Sequence, residues 1–412
     1  MKYMLLNNGI SVLVHQMPNT HSITLGLYIK CGSGYEDESS TGITHLLEHM
    51  HFRKSGILSQ DELYYKMECM GSTLNATTYR DFLKFTMKIT PDKFLECVKI
   101  FKNIVETTEW SKEELQKEKK VVINQLIEKG NYISVENEVQ KLVFKNHPLS
   151  KEIIGNRDVI EQLTEDDLVE YKKEMFTSKN ILFCITGNVT DFDCENMIKD
   201  LQTVPIKTCS EVRRLEHPEC FHIRKPDIVF IDTQDSNPID VNISFDITYN
   251  ESEKDALTIL NCILGEGVGS RLQKRIREEC CYTSDIFSYI EWYRNFAVLH
   301  IRFSVEKKKF YDCFDEIITV LRNMKCGITK KDLDVTLPFY TTNQIFDEDD
   351  TEKMNFQLAY NEFILELEYR GVKLENNKET ISTLHNLGNS IFVKNNMSIV
   401  LVGNTKNLTK KM

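Results

Sequence analysis

The sequence predicts an α+β fold built by tandem duplication of one mixed sheet-plus-helices unit, and two observations carry that expectation. Residues 180–188 read Asn-Ile-Leu-Phe-Cys-Ile-Thr-Gly-Asn, and residues 396–404 read Asn-Met-Ser-Ile-Val-Leu-Val-Gly-Asn, an apolar strand with the same Asn start and the same Gly-Asn end. The run of strands followed by helices that precedes the first also restarts before the second. The expected organisation is an N-terminal α+β domain over 1–205, a linker over 206–225, and a homologous C-terminal domain over 226–412. The linker is placed where Pro205, Pro218 and Pro226 crowd a charged stretch without periodicity.

In the first half, alternating apolar positions around Asn8-Gly9 predict strand, turn and strand over 4–16, and a third strand is expected at 22–30. Gly32 and Gly34 open a loop into a helix around 41–50. A second helix over 58–70 enters through Ser59 and ends at Gly71. Two strands, 73–79 and 82–89, are joined by Arg80-Asp81. Pro91 starts a helix reaching about 107, and Ser111-Lys112-Glu113-Glu114 is a capping box for a longer one reaching about 129. Helical segments near 135–144 and 165–175, the strand at 180–188 and a short helix complete the half.

Beyond the linker, strands near 228–232 and 241–248 precede helices at 253–264 and 270–279. Two aromatic-rich strands follow, then helices to about 394 and the closing strand. Gly265-Glu266-Gly267-Val268-Gly269 lacks the spacing and the lysine of a phosphate loop and reads as a helix-helix turn.

A net charge of −11 argues against a nucleic-acid surface. No run approaches the roughly 18 apolar residues of a membrane span, and the first residues lack the pattern of a signal peptide. The twelve cysteines include no C-x-x-C and suit free thiols, so the cytoplasm is the expected compartment. The segment from His217 to His222 holds soft ligands, but its proline and irregular spacing favour a linker.

Chemistry concentrates in His45-Leu46-Leu47-Glu48-His49. In a helix turning about 100° per residue, His45 and His49 share one face a turn apart, with Glu48 beside them. Two imidazoles so spaced can take adjacent corners of a zinc tetrahedron, while a carboxylate outside the ligand set can accept a proton from water. The order H-x-x-E-H inverts the commoner H-E-x-x-H and is itself a zinc-peptidase pattern. On the capping-box helix, Glu118 and Gln125 share stripes with Leu115, Val122 and Leu126, presenting polar groups near a buried face.

With that motif in the first of two α+β repeats, the chain resembles the pitrilysin family of inverzincin zinc peptidases, in particular the small two-domain branch that includes the processing-peptidase β subunit and bacterial homologues. The resemblance spans nearly the whole chain. It includes His45 to Met50, Asn75-Ala76-Thr77-Thr78, the helix from Glu118 through Leu126, His147-Pro148-Leu149, Arg271-Leu272 and Ile276-Arg277-Glu278.

The resemblance implies a Zn2+ site with His45 and His49 as ligands and Glu48 as general base. It places Glu118 in a supporting role and the third ligand at Gln125, where relatives have glutamate. Glu128, one turn on, is the second candidate for that ligand. Relatives also carry an arginine and, seven residues later, a tyrosine that bind the substrate carbonyl. Arg277 matches the arginine, Ser284 stands at the tyrosine position, and Tyr282 is two residues away. Asn75, Ala76 and Thr77 resemble the edge strand that pairs with extended substrate.

A peptide substrate and a homodimer or heterodimer are therefore expected, with neither nucleic acid nor membrane as partner. Because Gln125 brings no charge to offset a cation and Ser284 no phenol, the alternative is a noncatalytic or partly degenerate subunit of a heterodimeric peptidase.

Overall fold

The computed structural model describes residues 1–130, 133–209, 211–216, 218, 227–233 and 238–409. The chain forms two compact units that are not contiguous in sequence. The first takes Met1–Tyr132, Lys151–Glu216 and Phe346–Tyr369; the second takes Ile133–Ser150, His217–Ile345 and Arg370–Met412.

The first unit is organised on a six-stranded sheet in the order Lys2–Leu5, Ser11–Gln16, Ile181–Gly187, Ile23–Ile29, Leu83–Ile89, Asn75–Thr78. Ser11–Gln16 and Ile181–Gly187 pair in parallel, and the other neighbours are antiparallel. All seven residues of Ile23–Ile29 are buried, because both faces of the strand are covered, the condition under which a strand need not alternate apolar with polar. Ile23, Leu25, Leu27 and Ile29 join the main core, which includes Ile43, Leu46, Leu47 and Met50 of the motif helix. Thr24, Gly26 and Tyr28 face the other way.

That second face is covered by the helix Thr351–Ala359, which comes from far down the chain. Its Asn355 is wholly buried. The Asn355 amide donates to the carbonyls of Cys184 at 2.8 Å and Thr24 at 3.1 Å, and its Oδ1 accepts from the Tyr28 hydroxyl at 2.9 Å. Gly26 is required beneath it, since a Cβ there would lie 2.2 Å from Asn355 Oδ1.

The second unit repeats the plan. Its five-stranded sheet runs Ile286–Tyr293, Phe296–Val305, Ile239–Thr248, Met397–Gly403, Asp227–Asp232, again with one parallel pair, between the last two. Aligned from the parallel pair outward, the sheets have the same strand order, and the first adds only the N-terminal hairpin strand. Here the helix Val135–Phe144, from the first half of the sequence, packs on the sheet. Its Gln140 amide donates to Glu291 at 2.6 Å, and Glu136 pairs with Arg302.

The repeated Asn and Gly have a physical reason. Asn180 Nδ2 donates to the Met175 carbonyl at 3.2 Å, and Asn396 Nδ2 donates to the Ile391 carbonyl at 3.0 Å, each tying a strand start to the helix end five residues earlier. Gly187 and Gly403 end the two strands at φ +127° and +141°, where a side chain is strained. The tandem duplication is thus written in matching hydrogen bonds as well as in strand order.

The turn between Gly265 and Gly269 joins two helical segments, with Gly267 at φ +86°. Of the stretch expected as a linker, residues 206–209, 211–216 and 218 are described; Lys207 bridges to Thr177, and Arg213 N donates to Asn180 Oδ1 at 3.1 Å. The ligand-rich segment from His217 to His222 lies outside the described residues apart from Pro218. No helix among the described residues is long and apolar enough to cross a membrane.

Candidate metal centre

The motif forms the helix Ile43–Arg53. Gly42 begins it at φ +91°, and a Cβ there would lie 2.7 Å from the Ile154 carbonyl oxygen. Two of the free N–H groups at this helix start are satisfied by Glu36, whose buried carboxyl accepts from Gly42 N at 2.8 Å and Thr44 N at 2.9 Å. Burial pushes the Glu36 carboxyl above its ordinary value even though these hydrogen bonds oppose the shift.

On the inner face, His51 Nδ1 lies 2.7 Å from the Leu47 carbonyl, which can only accept. The bare Nε2 therefore receives Lys172 Nζ at 3.0 Å. Lys172, itself buried, also donates to the Ile104 carbonyl at 2.5 Å and to that of Thr107. Burial first, and the Lys172 ammonium second, hold His51 well below the ordinary imidazole range.

The outer face carries His45 and His49, with ring centroids 4.6 Å apart and planes at 71°. One candidate ligand atom each from His45, Glu48 and His49 lies within 4.8 Å of the others, and this is the one such cluster among the described residues. Glu48 Oε2 is 3.8 Å from His45 Nδ1 and accepts a hydrogen bond from the Thr78 hydroxyl. Burial raises the Glu48 carboxyl, but His45, Thr78 and His49 outweigh it and leave the group below the ordinary carboxylate value.

The helix Lys112–Gly130 closes the cluster. Its N-terminus is the expected capping box, with Ser111 and Glu114 exchanging hydrogen bonds. Glu118 Oε1 lies 2.7 Å from His49 Nδ1, and its Oε2 receives Arg53 Nε. These two partners outweigh the burial that would raise Glu118 and hold it below its ordinary value. Seven residues on, Gln125 Oε1 lies 3.2 Å from His45 Nε2. Glu128, the second candidate, is exposed: three residues beyond Gln125 it faces solvent, so the amide is the group brought to the histidines.

These groups fit a metal ion. Bonds of about 2.0–2.1 Å at a tetrahedral centre separate neighbouring donors by about 3.3 Å, close to the 3.2 Å between His45 Nε2 and Gln125 Oε1. Glu118 engages Nδ1 of His49 and leaves Nε2 free, the arrangement found around metal-bound imidazoles. Among the described residues, the buried His45 Nδ1 has no hydrogen-bond partner.

Asn75, Ala76 and Thr77 lie on the edge strand Asn75–Thr78, paired among the described residues on one side only, through Thr86, Phe85 and Lys84. Arg277 belongs to the second unit, where it pairs with Glu278 at 3.0 Å on a wide helical turn, Gln273–Glu279. Ser284 is exposed. Tyr282 is not on a strand, since the strand starts only at Ile286; Tyr282 N donates to the Ile276 carbonyl at 3.1 Å, finishing the helical turn.

Four contributors have no role in the sequence reading: Glu36, Thr78, Arg53 and Gln60. A signal existed for Arg53, which is i+4 from His49 and hence on its face, and for Thr78, two residues past Ala76 on one strand face.

The duplicated sheets and the helix-borne pair of histidines define the class, a two-domain α+β chain built around an inverted zinc motif. Residues 11–157 match the family model described as Insulinase (Peptidase family M16), and residues 162–337 match Peptidase M16 inactive domain. The chain belongs to peptidase family M16, the pitrilysin family. It is 24% identical over 331 residues to the uncharacterized zinc protease YmxG of Bacillus subtilis, covering 79% of each chain. Against the mitochondrial-processing peptidase subunit beta of Rattus norvegicus it is 29% identical over 204 residues, 48% of this chain and 40% of that one. A protease from Helicobacter pylori shares the fold with a TM-score of 0.81 at 19% identity, covering 97% and 98% of the two chains. A peptidase M16 inactive domain from Pseudomonas fluorescens does so at 0.80 and 17%, covering 99% and 98%.

Proposed function

We propose that this chain is a zinc-dependent endopeptidase that cleaves extended peptides or unstructured segments. The observation that carries the reading is the convergence of His45, His49, Glu48 and Gln125 on one small volume. His45, His49 and Gln125 would hold the ion, with Glu118 orienting His49. A zinc ion there supplies Lewis acidity toward water and the scissile carbonyl.

Glu48 takes the proton of the attacking water. Held below the ordinary carboxylate pKa by its neighbours, it stays ionised at neutral pH, and Thr78 fixes Oε2, leaving Oε1 to receive the proton and pass it to the leaving amine. The open side of Asn75–Thr78 offers main-chain groups to an extended substrate, and Thr78, on that strand, ties it to Glu48. Arg277 keeps the substrate-binding role that the family resemblance gives it.

Maturation of a ribosomally made peptide, in a dimer, is the finer reading, by analogy with small bacterial relatives. Eleven free thiols among the described residues suit a reducing compartment such as the cytoplasm. One observation favours a second reading, a partly degenerate subunit that needs a catalytic partner: Gln125 contributes no charge where the family has a carboxylate. Metal analysis of the purified chain tests the zinc reading. About one zinc per chain is expected from one tetrahedral site, and chelation should abolish cleavage of a quenched unstructured peptide. Absence of zinc from protein purified without chelators would refute it.

A further inference from the structure

The hydrogen bonds behind His49 continue past Glu118. Arg53 donates Nε to Glu118 Oε2 and Nη1 to Gln60 Oε1 at 2.9 Å, and Gln60 Nε2 donates to the Tyr64 hydroxyl at 2.9 Å. Three helices contribute: His49 and Arg53 from the motif helix, Gln60 and Tyr64 from Gln60–Cys69, and Glu118 from Lys112–Gly130. The Glu118 side chain is 7% exposed and that of Arg53 22%.

A carboxylate held at one oxygen can still rotate, whereas one held at both is fixed. Arg53 occupies the oxygen that His49 does not, and Gln60 fixes the far end of the guanidinium, whose planar fork serves two acceptors at once. An unsupported Glu118 could swing away from Nδ1, and His49 could then place its hydrogen on Nε2, the nitrogen needed for the metal.

We propose that Arg53 is a positioning residue of the metal centre, acting through Glu118 to keep the His49 hydrogen on Nδ1 and Nε2 bare. The assignment deepens the zinc reading and rests on it for its consequence in metal affinity. The tautomer it describes belongs to the protein alone.

The test uses the full chain with Arg53→Met, Arg53→Lys, Glu118→Gln and the double variant Arg53→Met/Glu118→Gln, each checked for folding by circular dichroism. Zinc affinity is read by competition with a chromophoric chelator, and the His49 tautomer by 15N spectra of the metal-free protein. Arg53→Met should weaken zinc binding by about tenfold or more, the usual effect of removing a group that orients a ligand. It should also turn a single Nδ1–H tautomer into a mixture. Arg53→Lys, which still offers Glu118 a charged donor, should recover affinity to within about threefold of wild type. In the Glu118→Gln background Arg53→Met should cost nothing more, because the two residues act as one unit. A folded Arg53→Met protein with unchanged tautomer and affinity would overturn the assignment, as would full additivity in the double variant. A wild type that binds no zinc, yet shows the tautomer change on Arg53→Met, would sink the zinc reading and leave the positioning role standing.

Discussion

Gln125→Glu is the substitution with the largest expected gain. The change is nearly isosteric, and Oε1 already lies 3.2 Å from His45 Nε2, so the carboxylate needs no repacking to reach the same point. A unit negative charge about 3 Å from a divalent cation is attracted by about 11 kcal/mol at an effective dielectric of about 20. Desolvation of the carboxylate returns several kcal/mol of that. A net gain of about 3–4 kcal/mol corresponds to two to three decades in affinity. Competition against a chromophoric chelator, with wild type and variant titrated side by side at one pH, measures the difference. Equal or weaker zinc binding by the variant would refute the placement of residue 125 at the metal.

Two further predictions concern the framework. Gly26→Ala should destabilise the chain by about 2–4 kcal/mol in urea unfolding, because the added methyl would sit 2.2 Å from Asn355 Oδ1 and dislodge the amide that joins two strands to the covering helix; a loss below about 0.5 kcal/mol would contradict the role given to that contact. For Glu36, burial raises the folded-state value above the ordinary 4.5, so folding favours the protonated carboxyl. Its contribution to stability is complete below the unfolded value and is lost as pH rises through the folded one. As pH rises from the ordinary 4.5 through the raised folded-state value, wild-type stability should therefore fall relative to Glu36→Gln, and parallel pH profiles of unfolding free energy would count against it.

The sequence makes the motif helix legible because 3.6-residue periodicity and ligand chemistry coincide in five residues, His45 to His49. The duplication is legible because Asn180 and Asn396, which make the same hydrogen bond to the preceding helix end, mark the starts of two similar apolar strands. The helices that cover the second faces of the two sheets are not legible. Nothing local to Val135–Phe144 or Thr351–Ala359 states which sheet each will cover, and the full burial of Ile23–Ile29 is the trace that something must. The helix Lys112–Gly130 shows its capping box and its stripe in the sequence, but whether Gln125 or Glu128 faces the histidines depends on how the helix is rotated against its neighbours. Where the strand after Tyr282 begins is not legible either, because the helical turn of Gln273–Glu279 runs on to the hydrogen bond between Tyr282 N and the Ile276 carbonyl, which delays the strand to Ile286. Arg53 and Gln60 belong to a network spanning three helices, and only tertiary packing brings those together.

The central claim is that Glu48 moves the proton for hydrolysis beside a metal held by its neighbours. Hydrolysis of a quenched, unstructured peptide by the zinc-loaded wild type and by zinc-loaded Glu48→Gln tests it most directly. The wild type should cleave the peptide, and the variant, with its zinc content unchanged, should be slower by about two to four orders of magnitude. Equal rates, or no cleavage by the zinc-loaded wild type, would contradict the account.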